Sequence, residues 1–259
     1  MKTIELLNRP DFDYGDVAGL IKRSPSMAGE FIKVINSSLY SRGIVISDLK
    51  LALPRLGKEN VKAMLYVYSA KMNFEAVPIL NDLAVDIVEH SYATALVAGY
   101  LSQRYYPDPE GAFLAGLLHD IGKLGLLKAI AETHNLPKKH HTKLVEETFG
   151  NVLPDLHQKA GRVLALNWKT HETVLSAVEH HHDFFDIGFN EDDQLSYHLC
   201  ALINLSDIIA RVLGKGRAIG PTNIFGLPAT IDLSMEKNRD TIKFIDPIPK
   251  IVSYGASMK

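Results

Sequence analysis

The sequence predicts an all-α protein, and three observations carry that prediction. Apolar residues recur at helical spacing along most of the chain, helix start and stop signals punctuate it, and no region is dominated by the period-two alternation of strands. Val17, Leu20 and Ile21 mark a first helix, and Met27, Phe31, Val34 and Ile35 a second. Asn36, at the end of that second helix, is expected to brace it. Ser47 is placed to cap a short helix that closes at Gly57, distorted or shortened by Pro54, which lacks a backbone donor. Residues 59–72 form the next helix. Residues 1–78 then read as a small helical module that ends at Pro78.

A second part, residues 79–215, opens with a long helix over residues 81–105. Pro107-Asp108-Pro109-Glu110 stops that helix and starts another, with Asp108 as N-cap and Pro109 at the first helical position. This helix turns Phe113, Leu114, Leu117 and Leu118 inward and delivers His119 and Asp120 at its end. Gly122 is expected to bend the chain there and help expose the pair. Lys138-Lys139-His140-His141 reads as a polar loop or helix start. Asp155 is placed to cap a helix carrying His157. A further helix runs from about Glu172 to the histidine run, residues 183–194 form a polar loop, and a strong helix covers residues 195–213. Residues 216–259 are a tail packed on the core, with one or two short helices at most.

Composition narrows the function. The 259 residues are 46% hydrophobic and 22% charged, an ordinary soluble make-up long enough for one large domain or two small ones. A net charge of -2 without a lysine-rich block argues against nucleic-acid binding. Cys200 is the only cysteine, so no internal disulfide forms and a reducing cytoplasm is expected. Residues 1–9 lack the apolar core of a signal peptide, and no apolar run approaches the roughly 20 residues of a membrane helix.

The chemistry concentrates in Leu117-Leu118-His119-Asp120-Ile121-Gly122-Lys123, where a histidine and a carboxylate sit inside an apolar segment. A buried carboxylate is costly unless a cation offsets it. Upstream, Asp86 and His90 lie one helical turn apart on one face. Downstream come His157, the run His180-His181-His182-Asp183, and Asp207 inside the apolar Leu205-Ser206-Asp207-Ile208-Ile209.

That order (His, His-Asp, His, a His pair, Asp) resembles the HD superfamily of metal-dependent phosphohydrolases. More narrowly it resembles the HDOD branch. Leu20-Ile21-Lys22-Arg23-Ser24-Pro25-Ser26-Met27 is similar to that branch's I-x-x-D-P-x-L segment, and Lys33-Val34-Ile35-Asn36-Ser37-Ser38-Leu39-Tyr40 to its R-x-x-N-S-A-x-Y. The stretch from Ile46 to Gly57 is similar to its I-x-S-L-x-x-A-I-x-x-L-G. The likeness covers most of residues 15–215. Pro54, the long segment between Gly150 and His157, and Lys169-Thr170 after Trp168 depart from it.

The resemblance implies a metal site. His90, His119, Asp120 and Asp207 would hold one ion, with Asp120 bridging to a second held by His157, His181 and His182. Such a donor set, without thiolate, suits one or two divalent ions of Fe, Mn, Ni, Co or Zn. Asp86 occupies the place where some relatives bind a third ion, His180 falls outside the pattern, and Asp183 is positioned to orient a histidine. Asp120 and Lys123 are the candidate catalytic residues. Lys123 would neutralise a phosphate from an open cleft rimmed by residues 183–194, with Phe184 or Phe185 at the entrance; otherwise it is a surface lysine.

The implied reaction is phosphoester hydrolysis, on a nucleotide or cyclic nucleotide. The Gly-Tyr-Pro segment of relatives that cleave cyclic di-GMP is absent from Asp183-Phe184-Phe185-Asp186-Ile187-Gly188-Phe189-Asn190, which disfavours that substrate. The alternative is a non-catalytic signal-transduction module acting through a signalling protein partner. A di-iron oxygenase ranks last, since nothing marks a specific organic substrate.

Overall fold

A computed structural model describes residues 2–37, 39–41, 44–74, 78–133, 153–187 and 193–256. Among them there is no strand. The first part of the chain holds α1 (Lys2–Leu7), α2 (Tyr14–Ile21), α3 (Pro25–Asn36), α4 (Leu49–Leu56) and α5 (Lys58–Met72). Then follow α6 (Pro78–Tyr105), α7 (Pro109–Leu118), α8 (Ile121–Thr133), α9 (Leu153–Asn167), α10 (Glu172–His180) and α11 (Gln194–Val212). The chain closes with α12 (Pro228–Asp232), α13 (Arg239–Ile245) and α14 (Ile248–Ala256). Two 3₁₀ turns, Phe184–Ile187 and Ile224–Gly226, join elements. The polar stretch from Lys138 to His141 lies outside the described residues, as does the side chain of Asp155, so the expected cap there has no counterpart to compare.

Local chemistry sets the helix ends. Ser24 accepts from Met27 N at 3.4 Å while Pro25 takes the first position of α3, where its missing N–H costs nothing. Asp108 caps α7 in the same way, accepting from Gly111 N at 2.9 Å ahead of Pro109. The cap of α4 is Asp48, not Ser47: its carboxylate accepts from Lys50 N at 3.1 Å. Pro54 is tolerated because α4 has only eight residues and ends two positions later at Leu56, followed by Gly57 with φ of 77°. Asn36 braces the end of α3. Its side chain donates to Ile32 O and Ile46 O and accepts from Ile46 N, tying the following loop back to the helix.

Helix α6 is the axis of the molecule. Against it pack α7, α11 and α14; α8 lies on α9, and α10 lies on α9 and α11. Helix α5 joins the first five helices to α6, α7 and α8. One apolar core runs continuously from Ile4 in α1 to Val252 in α14. At the junction with α5, Trp168 stacks on Tyr66 with ring centroids 4.2 Å apart, and Tyr40 meets Phe113 edge-on at 5.5 Å.

The tail holds more helix than its composition suggests, with α12, α13 and α14 each short. Asn238 caps α13 by accepting from Thr241 N at 2.9 Å, and Ile248, Ile251 and Val252 of α14 are buried. Tertiary burial stabilises helices of this length, which are too short to persist alone.

Candidate metal centre

Five parts of the fold send one or two side chains each to a single buried point. His90 comes from the middle of α6, His119 and Asp120 from the junction after α7, and His157 from α9. His181 and His182 follow the end of α10, and Asp207 comes from α11. His119, Asp120, His157 and His181 are at most 1% exposed, and His90 and Asp207 are buried as well. His182 is the least buried of the set.

Small residues let these elements approach. A side chain on Gly116 would strike the backbone of Ala95 at 2.7 Å, so glycine there lets α7 press onto α6. Gly122 is the sharper case. Its missing Cβ would lie 1.9 Å from His157 O and 2.5 Å from Gly161 N. The expectation that Gly122 bends the chain open is therefore corrected. It sits in the first turn of α8 and brings α8 against α9, delivering His157 to a buried site.

The imidazoles are oriented by backbone carbonyls. His119 Nδ1 lies 2.8 Å from Gly116 O, His181 Nδ1 3.0 Å from Val178 O, and His90 Nδ1 3.2 Å from Lys215 O. A carbonyl only accepts, so each Nδ1 carries the proton and each Nε2 keeps a lone pair for a cation. Those Nε2 atoms point at one another. His90 Nε2 and His119 Nε2 are 3.2 Å apart, and His157 Nε2 and His181 Nε2 3.3 Å. In the first pair, whose tautomers are both fixed by carbonyls, the facing lone pairs repel unless a proton or metal ion lies between them. Two nitrogens on one tetrahedral ion, each about 2.0–2.1 Å from it, stand roughly 3.4 Å apart, close to both spacings.

Asp120 divides its carboxylate between the two histidine groups. Oδ2 faces His119 Nε2 at 3.4 Å, His90 Nε2 at 3.6 Å and Lys123 Nζ at 2.5 Å. Oδ1 faces His157 Nε2 at 3.4 Å and His181 Nε2 at 3.8 Å, and this buried oxygen accepts no hydrogen bond. Asp207 Oδ1 lies 3.0 Å from His90 Nε2, and its Oδ2 lies 3.6 Å from Arg211 Nη1. Three sets of donor atoms lie close enough to share an ion: His90, His119 and Asp207; His119, Asp120 and His181; and His157, His181 and His182. The donor set and the orphaned oxygen fit divalent metal, with the seven expected residues in one place.

Electrostatics point the same way. Burial would raise the Asp120 carboxyl, but Lys123, His119 and His90 hold it well below the usual carboxylate range. Burial also opposes ionisation of Asp207, which the neighbouring His90 and His119 imidazoles nonetheless hold low. His119 is pushed down by burial, yet the carboxylates of Asp120 and Asp207 outweigh this and raise it. Burial and neighbouring histidines depress His181, and burial takes His182 down to about 4, so both offer lone pairs at neutral pH.

Other candidates lie apart. Asp86 is exposed beside Asp82 and Glu89, and burial together with those charges raises its pKa. His180 pairs at 3.7 Å with Glu179. Asp183 is exposed and does not join the cluster; Val178 O and Asn204, which donates to His181 O at 2.7 Å, hold that histidine instead. Lys123 turns inward, with 26% of its side chain exposed. Phe184 packs in the core against Tyr197, whereas Phe185 is exposed, so Phe185 is the aromatic left at the surface of residues 183–187. Residues 188–192 of the expected rim lie outside the described residues. Gly116, Gly161, Asn204 and Arg211 were not singled out from sequence; only the recurrence of Gly161 one turn after His157 hints at a close helix approach.

The HDOD domain family model matches residues 1–184. An uncharacterized protein of Treponema pallidum (strain Nichols) is 22% identical over 184 residues, 68% of this chain and 35% of that protein, so the chain spans about a third of this curated relative. A structure named as a candidate metal-dependent phosphohydrolase from Shewanella amazonensis SB2B superposes with a TM-score of 0.65 at 22% identity, covering 98% of this chain and 89% of the other. An HDOD domain protein of unknown function from Geobacter sulfurreducens does so with a TM-score of 0.60 at 19% identity, covering 99% and 90%. At these identities the likeness establishes the fold.

Proposed function

The chain belongs to the HDOD domain family, and on that premise we propose that its buried histidine–aspartate centre binds two divalent transition-metal ions and hydrolyses a phosphoester in a signalling role. The observation that carries this reading is the split carboxylate of Asp120, one oxygen toward His90 and His119, the other, without a hydrogen bond, toward His157 and His181. His90, His119, Asp120 and Asp207 would hold one ion, and Asp120, His157, His181 and His182 the other. When bound, such ions lower the pKa of water and neutralise a phosphoryl oxygen.

The chain's own groups supply the rest. The backbone carbonyls at Gly116, Val178 and Lys215 fix the imidazole tautomers, so no reorganisation is needed when the donors are engaged. Lys123 sits on Asp120 Oδ2 and is a partly exposed cation beside the cluster. It is placed to take up negative charge on a phosphate arriving past His182. The substrate class is a nucleotide or cyclic nucleotide phosphoester.

A second reading, a metal-binding module that signals through protein contacts without turnover, is favoured by one observation: four of the cluster residues are at most 1% exposed and the Lys123 ammonium is already engaged. Metal analysis of the purified protein, followed by a phosphoester panel on wild type and Asp120→Ala, separates the two. Turnover lost in Asp120→Ala supports the hydrolase. Stoichiometric metal with no turnover supports the module, and no metal after reconstitution overturns both. Among the described residues no helix is long and apolar enough to cross a membrane.

A further inference from the structure

The chain does not leave the centre after Asp207. Past α11 it makes a tight turn and returns over His90. We infer that this turn, residues 213–219, is a positioning strap that sets the His90 and Asp207 donors for the first ion, and that Gly216 is its determining residue. The inference rests on the metal-centre reading above and names a device that regulates the geometry of that same site.

Two glycines with left-handed backbones build the turn: Gly214 with φ of 76° and Gly216 with φ of 77°. Gly214 N and Ile219 N both reach Arg211 O, at 3.1 and 3.4 Å, and Lys215 N reaches Ala210 O at 2.9 Å, so the turn is fastened to the last turn of α11. From that position Lys215 O receives His90 Nδ1 at 3.2 Å. Gly216 lies flat on the same ring: a Cβ there would stand 2.9 Å from both Cγ and Nδ1 of His90. The strap also reaches the carboxylate. Arg211 donates through Nε to Arg217 O at 3.2 Å while its Nη1 lies 3.6 Å from Asp207 Oδ2. On the outer side, Lys215 Nζ lies 3.5 Å from Glu89 Oε2, one residue before His90.

A ring held through Nδ1 by a carbonyl and flanked by a glycine has one orientation and one tautomer. Both are what an Nε2 donor needs, and loss of such outer support weakens metal binding by about 10–100-fold. Among the described residues, the strap's contacts with the centre run to His90 and, through Arg211, to Asp207, both donors of the first group. The strap therefore acts on one ion and not the other.

Gly216→Ala tests this, with Gly214→Ala as its control. Both substitutions place a side chain at the same left-handed φ, but a Cβ at Gly214 meets nothing within 4 Å. Backbone strain is thus common to the two and the push on His90 belongs to Gly216 alone. The apoprotein of each full-length chain is titrated with Mn²⁺ and with Zn²⁺ by isothermal calorimetry, with bound metal counted by elemental analysis and unfolding of the apoprotein followed in parallel. The expected result is a loss of about 10–100-fold in the affinity of one ion in Gly216→Ala only, with the second ion retained and apoprotein stability equal to that of Gly214→Ala. Equal metal affinities in the two variants, or equal weakening of both ions, overturns the strap. Failure of the wild-type chain to bind metal overturns the metal-centre reading itself, a separate outcome.

Discussion

At the scale of the residue, the centre is a set of donors whose protonation is decided by burial and by neighbours. His182, with its pKa near 4, is neutral in the folded chain over a range where an unfolded histidine, with an ordinary value of about 6.5, takes up a proton. Its contribution to stability is therefore complete above about pH 6.5 and is lost as pH falls toward 4. His181 is shifted in the same direction. Asp120 and Asp207, both held low, contribute above the ordinary carboxylate range and lose that contribution at still lower pH. His119, held high, works against these, since its contribution fades as pH rises. We expect the urea midpoint of metal-free protein to fall between pH 6.5 and 4, and the slope to be shallower in His182→Asn. A midpoint that rises on acidification would contradict the assignment. The donors themselves were legible in the sequence because a histidine or acid inside an apolar run is chemically conspicuous. Their supports were not, because a carbonyl such as Val178 O or Lys215 O carries no side-chain signal.

Single donors should also separate the two ions. His157→Ala removes a donor only from the group of His157, His181 and His182, so bound metal is expected to drop by one ion per chain. Asp120→Ala removes the carboxylate that faces both groups and is expected to lose both. Elemental analysis after dialysis reads the difference; equal losses in the two variants would count against the bridging position of Asp120.

At the scale of the element, helix starts and stops were readable wherever a cap or a proline marked them. Asp108-Pro109 opens α7 as its chemistry requires, and Ser24-Pro25 opens α3. Two residues take other roles than their composition suggests, for physical reasons. The capping role of Ser47 passed to Asp48, an equally good acceptor one position on. Gly122, whose composition suggests a break, is a contact instead, since the identity of its partner, the His157 backbone, is a tertiary fact. Gly122→Ala puts a methyl group 1.9 Å from a backbone oxygen, so the backbone of α8 or α9 must shift. Overpacking of this kind costs about 1–3 kcal/mol, and we expect that loss in chemical denaturation, with weakened binding of the His157 ion. A stable variant with full metal content would show that α8 and α9 can separate without disturbing the site.

At the scale of the whole molecule, the order of the donors along the chain reflects an all-α bundle built around α6, which carries His90, with α7 and α11 packed against it. That architecture could be anticipated from apolar spacing. The helical tail could not, because α12 and α13 span only five and seven residues and offer too few turns for a periodic signal. Because the donors come from five parts of the fold, metal should stabilise the whole chain. Excess Mn²⁺ or Zn²⁺ at about 100 times the dissociation constant adds roughly 2.7 kcal/mol, so the apparent Tm should rise on reconstitution and fall with chelator.

Anomalous scattering measured at the metal edge on crystals of reconstituted protein tests the two-ion centre most directly. The predicted map has two peaks, one among His90, His119, Asp120 and Asp207, the other among Asp120, His157, His181 and His182. A map with no peak in that cluster, or with metal bound only elsewhere, would contradict it.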